Sequence, residues 1–240
     1  MRRLILSLAV VSVVGAFIAT PTASAQQSVN FFLGGFVPTS LDARADNGRN
    51  DVLVQDLNFL SYRFDRFTGP TVGGEYLVGL GDFFDAGFGV GYYQRTVPAA
   101  DVNFTNPNGS SIVADLKLRI VPFDATVRFL PLGHRAPIVP YVGAGVGIYA
   151  WRYSESGQFV DYTPPVPRNP VVFNDTFSGS GTAVGPVFLG GVRVPIGPFA
   201  PGFEVRWQHG RGDLPNDQSF SAAKVDLGGI NYLFTFDIRF

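Results

Sequence analysis

Apolar residues at every second position, in segments too short and too interrupted to be long helices, limit this chain more than any other feature. In the closing stretch GGINYLFTFDIRF, Ile230, Tyr232, Phe234, Phe236, Ile238 and Phe240 are apolar, and Asn231, Thr235, Asp237 and Arg239 stand between them. A period of two puts the two sets on opposite faces of a β-strand. One face is wholly apolar and runs to an aromatic last residue, whereas termini usually fray into polar chain. What that face is solvated by decides the fold.

Eight segments carry the alternation, near 27–37, 69–81, 85–97, 113–131, 138–154, 182–195, 202–210 and 223–240, with turn-rich stretches between them. In DAGFGVGYYQR, Ala86, Phe88, Val90 and Tyr92 oppose Gly87, Gly89, Gly91 and Tyr93. In PYVGAGVGIYAWRY, Val142, Ala144, Val146 and Ile148 oppose Gly143, Gly145, Gly147 and Tyr149. The 23 Phe, 9 Tyr and 29 Gly fit such strands. After the N-terminus no apolar run approaches the ~18 residues of a helical span.

The connections alternate in length. Gly81–Phe84, Leu132–Pro137 and Ile196–Pro201 are tight and rich in Gly and Pro, whereas 38–68, 98–112, 155–181 and 211–222 are long and polar. Short turns at one end and long loops at the other describe an all-β, eight-stranded antiparallel up-and-down transmembrane β-barrel, with periplasmic turns and extracellular loops. Only a closed sheet satisfies every strand N–H and C=O in lipid. A soluble lipocalin-like barrel would show the same alternation with its apolar face inward; the loop asymmetry and the aromatic terminus favour lipid outside.

Two places break phase. Leu116, Leu118 and Ile120 give way to Phe123, Ala125, Val127 and Phe129 across Pro122, which predicts a bulge. In the last strand, Val225 and Leu227 give way to Ile230 and Tyr232 across Gly228-Gly229. NFLSYRFDRFTGP also alternates and is read as a loop hairpin or an extension of the second strand.

The N-terminus has the three parts of a secretory signal peptide: basic Arg2 and Arg3, an apolar core over Leu4–Ile18, and Ala23-Ser24-Ala25 as a cleavage site. Residues 1–25 are therefore expected to be removed and 26–240 to form the barrel domain. Without Arg2 and Arg3, the 18 basic residues fall to 16 against 19 acidic ones, no footprint for nucleic acid. With no cysteine and only His134 and His209, neither a cofactor nor a metal site is expected.

An eight-stranded interior is just wide enough for side chains to fill. The face opposite the apolar stripe carries Glu75, Asp124, Thr126, Arg128, Arg193, Glu204, Arg206, Asp237 and Arg239. Its charges are expected to pair as an interior network that plugs the barrel; a narrow channel lined by the same pairs is the alternative. Glycines 87, 89, 91, 143, 145 and 147 leave interior volume for Tyr149 and Trp151 or for water. His209, with Asp213, Asp217, Ser219 and Ser221 in the next loop, permits a catalytic arrangement that polar loop composition also supplies, and no enzyme is expected. His134 in LGHRAP reads as a solvated periplasmic residue, and GRGD at 210–213 as a chance occurrence. Pro164, Pro165, Pro167 and Pro170 stiffen a long loop that caps the barrel or binds at the surface.

With a signal peptide, eight strands and the YLFTFDIRF ending, the chain resembles the small outer-membrane β-barrel proteins of Gram-negative bacteria, the OmpA-transmembrane/OmpW/Opa-like group. The resemblance implies residence in the outer membrane and a monomer whose partners are outer-membrane lipid and the barrel-assembly machinery. It further implies that Tyr232, Phe234, Phe236, Ile238 and Phe240 form the signal which that machinery reads. A structural, envelope-integrity role follows, with passage of small or apolar solutes or surface-loop binding as alternatives. No peptidoglycan-binding domain follows the strands, so an anchoring role is not implied.

Overall fold

A computed structural model describes residues 26–47, 50–161, 171–218 and 220–240. The signal-peptide reading, the four loop prolines and Ser219 lie outside the described residues. Eight antiparallel strands form a ring: β1 (Gln27–Pro38), β2 (Gly69–Gly79), β3 (Phe84–Thr105), β4 (Ser111–Phe129), β5 (Val139–Asp161), β6 (Val171–Arg193), β7 (Phe199–Gln208) and β8 (Gly229–Arg239). Each pairs with its neighbours in chain order, and β8 closes on β1 from Ser28↔Arg239 to Pro38↔Gly229. At the seam the Phe240 amide donates to the Gln27 carbonyl at 2.9 Å. A ring without a free edge satisfies the backbone in lipid.

The three turns at one end follow from glycine. Gly81, Gly133 and Gly197 take φ of 75°, 72° and 62°, a left-handed conformation that other residues adopt only under strain. At the opposite end lie the long segments 39–68 and 209–228.

The outer wall is apolar and bare around the barrel. Leu33 is 64% exposed, Val184 67% and Phe234 66%. Leaving such side chains in water forgoes about 1.5–3 kcal/mol each, so a belt of them calls for an apolar solvent. Aromatic pairs mark both margins: Phe84–Phe129 and Phe199–Phe236 near the turns, with ring centroids 5.3 and 5.5 Å apart, and Phe188–Trp207, 5.6 Å apart, toward the loops. Girdles of this kind border membrane-spanning barrels.

The phase break at Pro122 is not a bulge. Pairing of β4 with β5 runs without a shift from Ala114↔Gly157 to Phe129↔Val142. Even-numbered residues point inward all along β4; what changes is their chemistry. Below Pro122, Asp124, Thr126 and Arg128 are buried inside and Phe123, Val127 and Phe129 are exposed outside. Above it, Leu116, Leu118 and Ile120 are buried inside, and Lys117 and Arg119 are exposed outside. The strand leaves lipid for water at this level, so the apolar side turns from the outer wall to the interior. β5 repeats the inversion, with Val142, Val146 and Ile148 outside below and Arg152 outside above.

Three other expectations are corrected. Residues 98–105 and most of 155–181 prolong strands β3, β5 and β6 above the belt rather than forming loops. The last strand begins at Gly229; Lys224–Asp226 pairs with Arg211–Asp213 as a separate small hairpin. The stretch around 58–70 contributes a two-residue strand, Leu60–Ser61, and a turn of 3₁₀ helix, Phe64–Phe67, which fold inward over the ring.

The interior volume left by the glycines is taken by Glu75, against Gly87 and Gly89, and by the Tyr149 ring, against Gly147. A Cβ added at Gly147 would stand 2.6 Å from Cζ of Tyr149 and 2.8 Å from Oδ1 of Asp124. Trp151 likewise lies against Gly181, with 3.3 Å available. Gly147→Val is therefore expected to destabilise the barrel by about 1–3 kcal/mol through overpacking, read as a lower urea midpoint for reversible unfolding in lipid vesicles.

Candidate functional site

The strand period decides what meets inside. Glu75 on β2, Asp124 and Arg128 on β4, and Glu204 and Arg206 on β7 all fall on inward positions, and their buried side chains converge. Arg206 is the hub. Its Nη1 lies 2.9 Å from Oδ2 of Asp124, and its Nη2 lies 2.7 Å from Oε1 of Glu204 and 3.3 Å from Oε2 of Glu75. Arg128 donates to Glu75 and sits 3.0 Å from Oε2 of Glu204. Thr126 donates to Glu75 at 3.2 Å, and the Tyr141 hydroxyl donates to Glu204 at 3.0 Å. Aromatic faces carry the guanidiniums, Arg128 being 4.9 Å from the Tyr141 centroid and Arg206 5.2 Å from that of Phe32.

A second layer lies toward the short turns. Arg193 bonds Oδ2 of Asp85 at 2.7 Å and stands 3.8 Å from Asp237. His134 Nε2 is 2.6 Å from Oδ1 of Asp85, and its Nδ1 is 2.8 Å from the Asp82 carbonyl oxygen. His134 is thus tied into the barrel mouth rather than solvated, because its turn folds back under the ring. Arg239 is placed differently from the other seven expected charges: it sits at the rim, where its Nη2 donates to the Gly197 carbonyl at 2.8 Å, and it makes no ion pair among the described residues. Asp85 and Tyr141 complete the layers and were not anticipated, although both occupy inward positions in segments already read as strands.

Above the ions lies an apolar core. Phe36, Tyr93, Leu116, Leu118, Tyr149 and Trp151 line the wall, and residues from the long segments fill the centre, among them Leu53, Phe67, Leu214 and Val225. Polar latches hold these segments in place. Buried Arg44 reaches Oδ2 of Asp51 at 3.0 Å, the Asp226 carbonyl at 3.1 Å and the Thr39 carbonyl at 2.9 Å. The Asp226 amide donates to Asp51 at 2.7 Å, joining the 39–68 segment to the small hairpin. Tyr153 and Ser221 donate to the two oxygens of Asp56 at 2.9 and 2.6 Å. In this extramembrane cap, burial pushes Asp56 up to about 6, and burial together with the Asp56 charge pushes Glu155 up to about 8.

The residues around His209 are dispersed. Its ring stacks on Trp207 at 6.0 Å on the outer wall; Asp213 pairs with Lys224 at 3.0 Å, and Ser221 is held by Asp56.

No family model matches the chain, and no curated protein matches it in sequence. Solved structures similar to it include the attachment invasion locus protein Ail of Yersinia pestis, in complex with the heparin analogue sucrose octasulfate. It is 10% identical, with a TM-score of 0.43, over 90% of this chain and 99% of that one. Neisserial surface protein A is 12% identical, with a TM-score of 0.42, over 90% and 97%. The outer membrane protease OmpT of Escherichia coli is 12% identical, with a TM-score of 0.46, over 92% and 100%.

Proposed function

We propose that the protein is a monomeric, closed barrel of the bacterial outer membrane with a structural, envelope-integrity role, exported by residues 1–25 and assembled through Tyr232, Phe234, Phe236, Ile238 and Phe240. One observation carries this reading: the interior is occupied twice over, by the ion-paired layers around Arg206 and Arg193 and by the apolar core with its latched cap. Either filling opposes ion flow, the first by charge pairing and the second by dewetting. The orientation has its own support. Directly above the belt, the outer wall of β4 and β5 presents Lys117, Arg119 and Arg152, with Arg119 and Arg152 directly opposite each other. Like charges paired across strands repel unless an anion joins them, as the phosphates of an outer-leaflet headgroup would.

The experiment is planar-bilayer recording of the refolded protein. No discrete conductance steps are expected at either polarity in potassium chloride; reproducible steps would overturn the reading. A narrow channel is the second reading. It is favoured by Asn30 Oδ1, Thr235 Oγ1 and Asp237 Oδ1, buried polar atoms on the adjoining strands β1 and β8 without hydrogen-bond partners, and the same recording decides between the two.

A further inference from the structure

Above the apolar core, the projecting ends of β5 and β6 and the segment bearing Phe59 enclose a cleft of about 870 Å3. Four phenylalanines wall it: Phe59, Phe159, Phe173 and Phe177. Phe159 meets Phe177 edge-on at 4.9 Å and lies 6.0 Å from Phe173. Glu155 lines the cleft at its base, only 6% exposed, and its Oε1 has no hydrogen-bond partner. Behind it, fully buried Asp56 holds the hydroxyls of Tyr153 and Ser221, and Asp175 stands at the opening. Among the described residues, neither Glu155, Asp56 nor Asp175 forms an ion pair; Arg44, the buried cation of the cap, is committed to Asp51.

We propose that this cleft binds an organic cation with a flat apolar body, such as an aryl amidinium or guanidinium, its charge on Glu155 and its body between the phenylalanines. The proposal goes beyond the structural role and does not depend on it. A buried carboxylate with a vacant acceptor is costly unless a cation reaches it. Aromatic faces attract cations and shield apolar bodies from water, whereas the acidic lining of Glu155, Asp161 and Asp175 repels an anion. A divalent metal is a poorer fit, because calcium asks for six or more oxygen ligands. No group of three metal-ligating side chains occurs among the described residues.

The environment of the carboxylates gives the binding a pH signature. Asp56, Asp51, Tyr62 and Tyr153 face this floor from the cap and β5, with Asp161 and Asp175 nearer the opening and Arg44 beyond Tyr62. With Glu155 raised to about 8 and Asp56 to about 6, the empty floor holds a proton at neutral pH that an arriving cation displaces. Affinity therefore rises with pH through this range and falls as the carboxylates protonate.

Isothermal titration of the full mature barrel in non-ionic detergent tests the proposal, with benzamidinium, charged throughout the range used, and its neutral isostere benzamide. Benzamidinium is expected to bind saturably near pH 9 and at least tenfold more weakly near pH 6, with benzamide at least tenfold weaker than benzamidinium near pH 9 and the gap closing near pH 6. Glu155→Gln should weaken benzamidinium binding tenfold or more. Phe159→Ala removes a wall without touching the floor and should weaken both probes, so a cap disturbed by the first variant does not mask the result. Equal binding of the two probes near pH 9, or an affinity unchanged in Glu155→Gln, would overturn the proposal. So would displacement of benzamidinium by equimolar calcium, which would make the floor a metal site. Conductance plays no part in this readout, so its failure is distinct from failure of the closed-barrel reading.

Discussion

Arg206→Met is expected to destabilise the barrel by about 3–5 kcal/mol, the cost of breaking a buried ion cluster from one side. The methionine replaces most of the volume, so the loss is electrostatic: Asp124, Glu204 and Glu75 lose the guanidinium that stands 2.9, 2.7 and 3.3 Å from them. Arg128 still reaches Glu75 and Glu204 but makes no ion pair with Asp124. Three carboxylates are then left with one guanidinium in that cluster, and Asp124 is left with none. Adding Glu204→Gln to the variant should recover part of the loss, because one uncompensated charge disappears with it. Urea unfolding in lipid vesicles measures both. Additive losses in the double variant would show that the two residues do not act through one cluster.

The position of the membrane is equally open to attack. Val146 and Arg152 share the outer face of β5, the first in the middle of the belt and 52% exposed, the second beyond its upper margin. Val146→Arg is expected to cost about 2–4 kcal/mol, as a guanidinium at the bilayer midplane does. Arg152→Val, the converse change three outward positions higher, should stay within about 0.5 kcal/mol. If the two changes cost the same in vesicles, lipid does not end near Ala150. A penalty for Val146→Arg that persists in a detergent-free aqueous buffer would instead identify a protein partner on the belt.

The closed ring, the strand parity and most of the inward charges were legible in the chain because each is a local property of period two. Glu75, Arg128 and Arg206 declare their face through their immediate neighbours. Arg239 does too, but the rim lets a long side chain turn back to a carbonyl, and no local pattern records that. His134 is misread as solvated because its partner Asp85 lies 49 positions away and is brought to it by the pairing of β3 with β4. The change across Pro122 was visible, yet its cause was not. A bulge and a change of solvent produce the same one-step slip in hydropathy, and only an unbroken register separates them. The cap was the least legible part. Its short helices, Leu41–Asn47 and Val52–Gln55, and its three-residue hairpin strands are too brief to declare a period, and Arg44, Asp51 and Asp226 find one another only after the wall beneath them exists.

The inversion at Pro122 also sets a height. Strand β5 continues from Trp151 to Asp161 above the level at which its outer face turns polar. At about 3.3 Å per residue, and allowing for tilt, those residues rise roughly 25–30 Å beyond the apolar belt. The lower half therefore answers to the bilayer, and the upper half is in effect a water-soluble four-stranded wall, β3 to β6, packed on the cap and standing on the barrel like a turret. Whatever meets the cleft does so at the top of that turret, clear of the headgroups. A soluble molecule can reach it from the medium without entering the membrane.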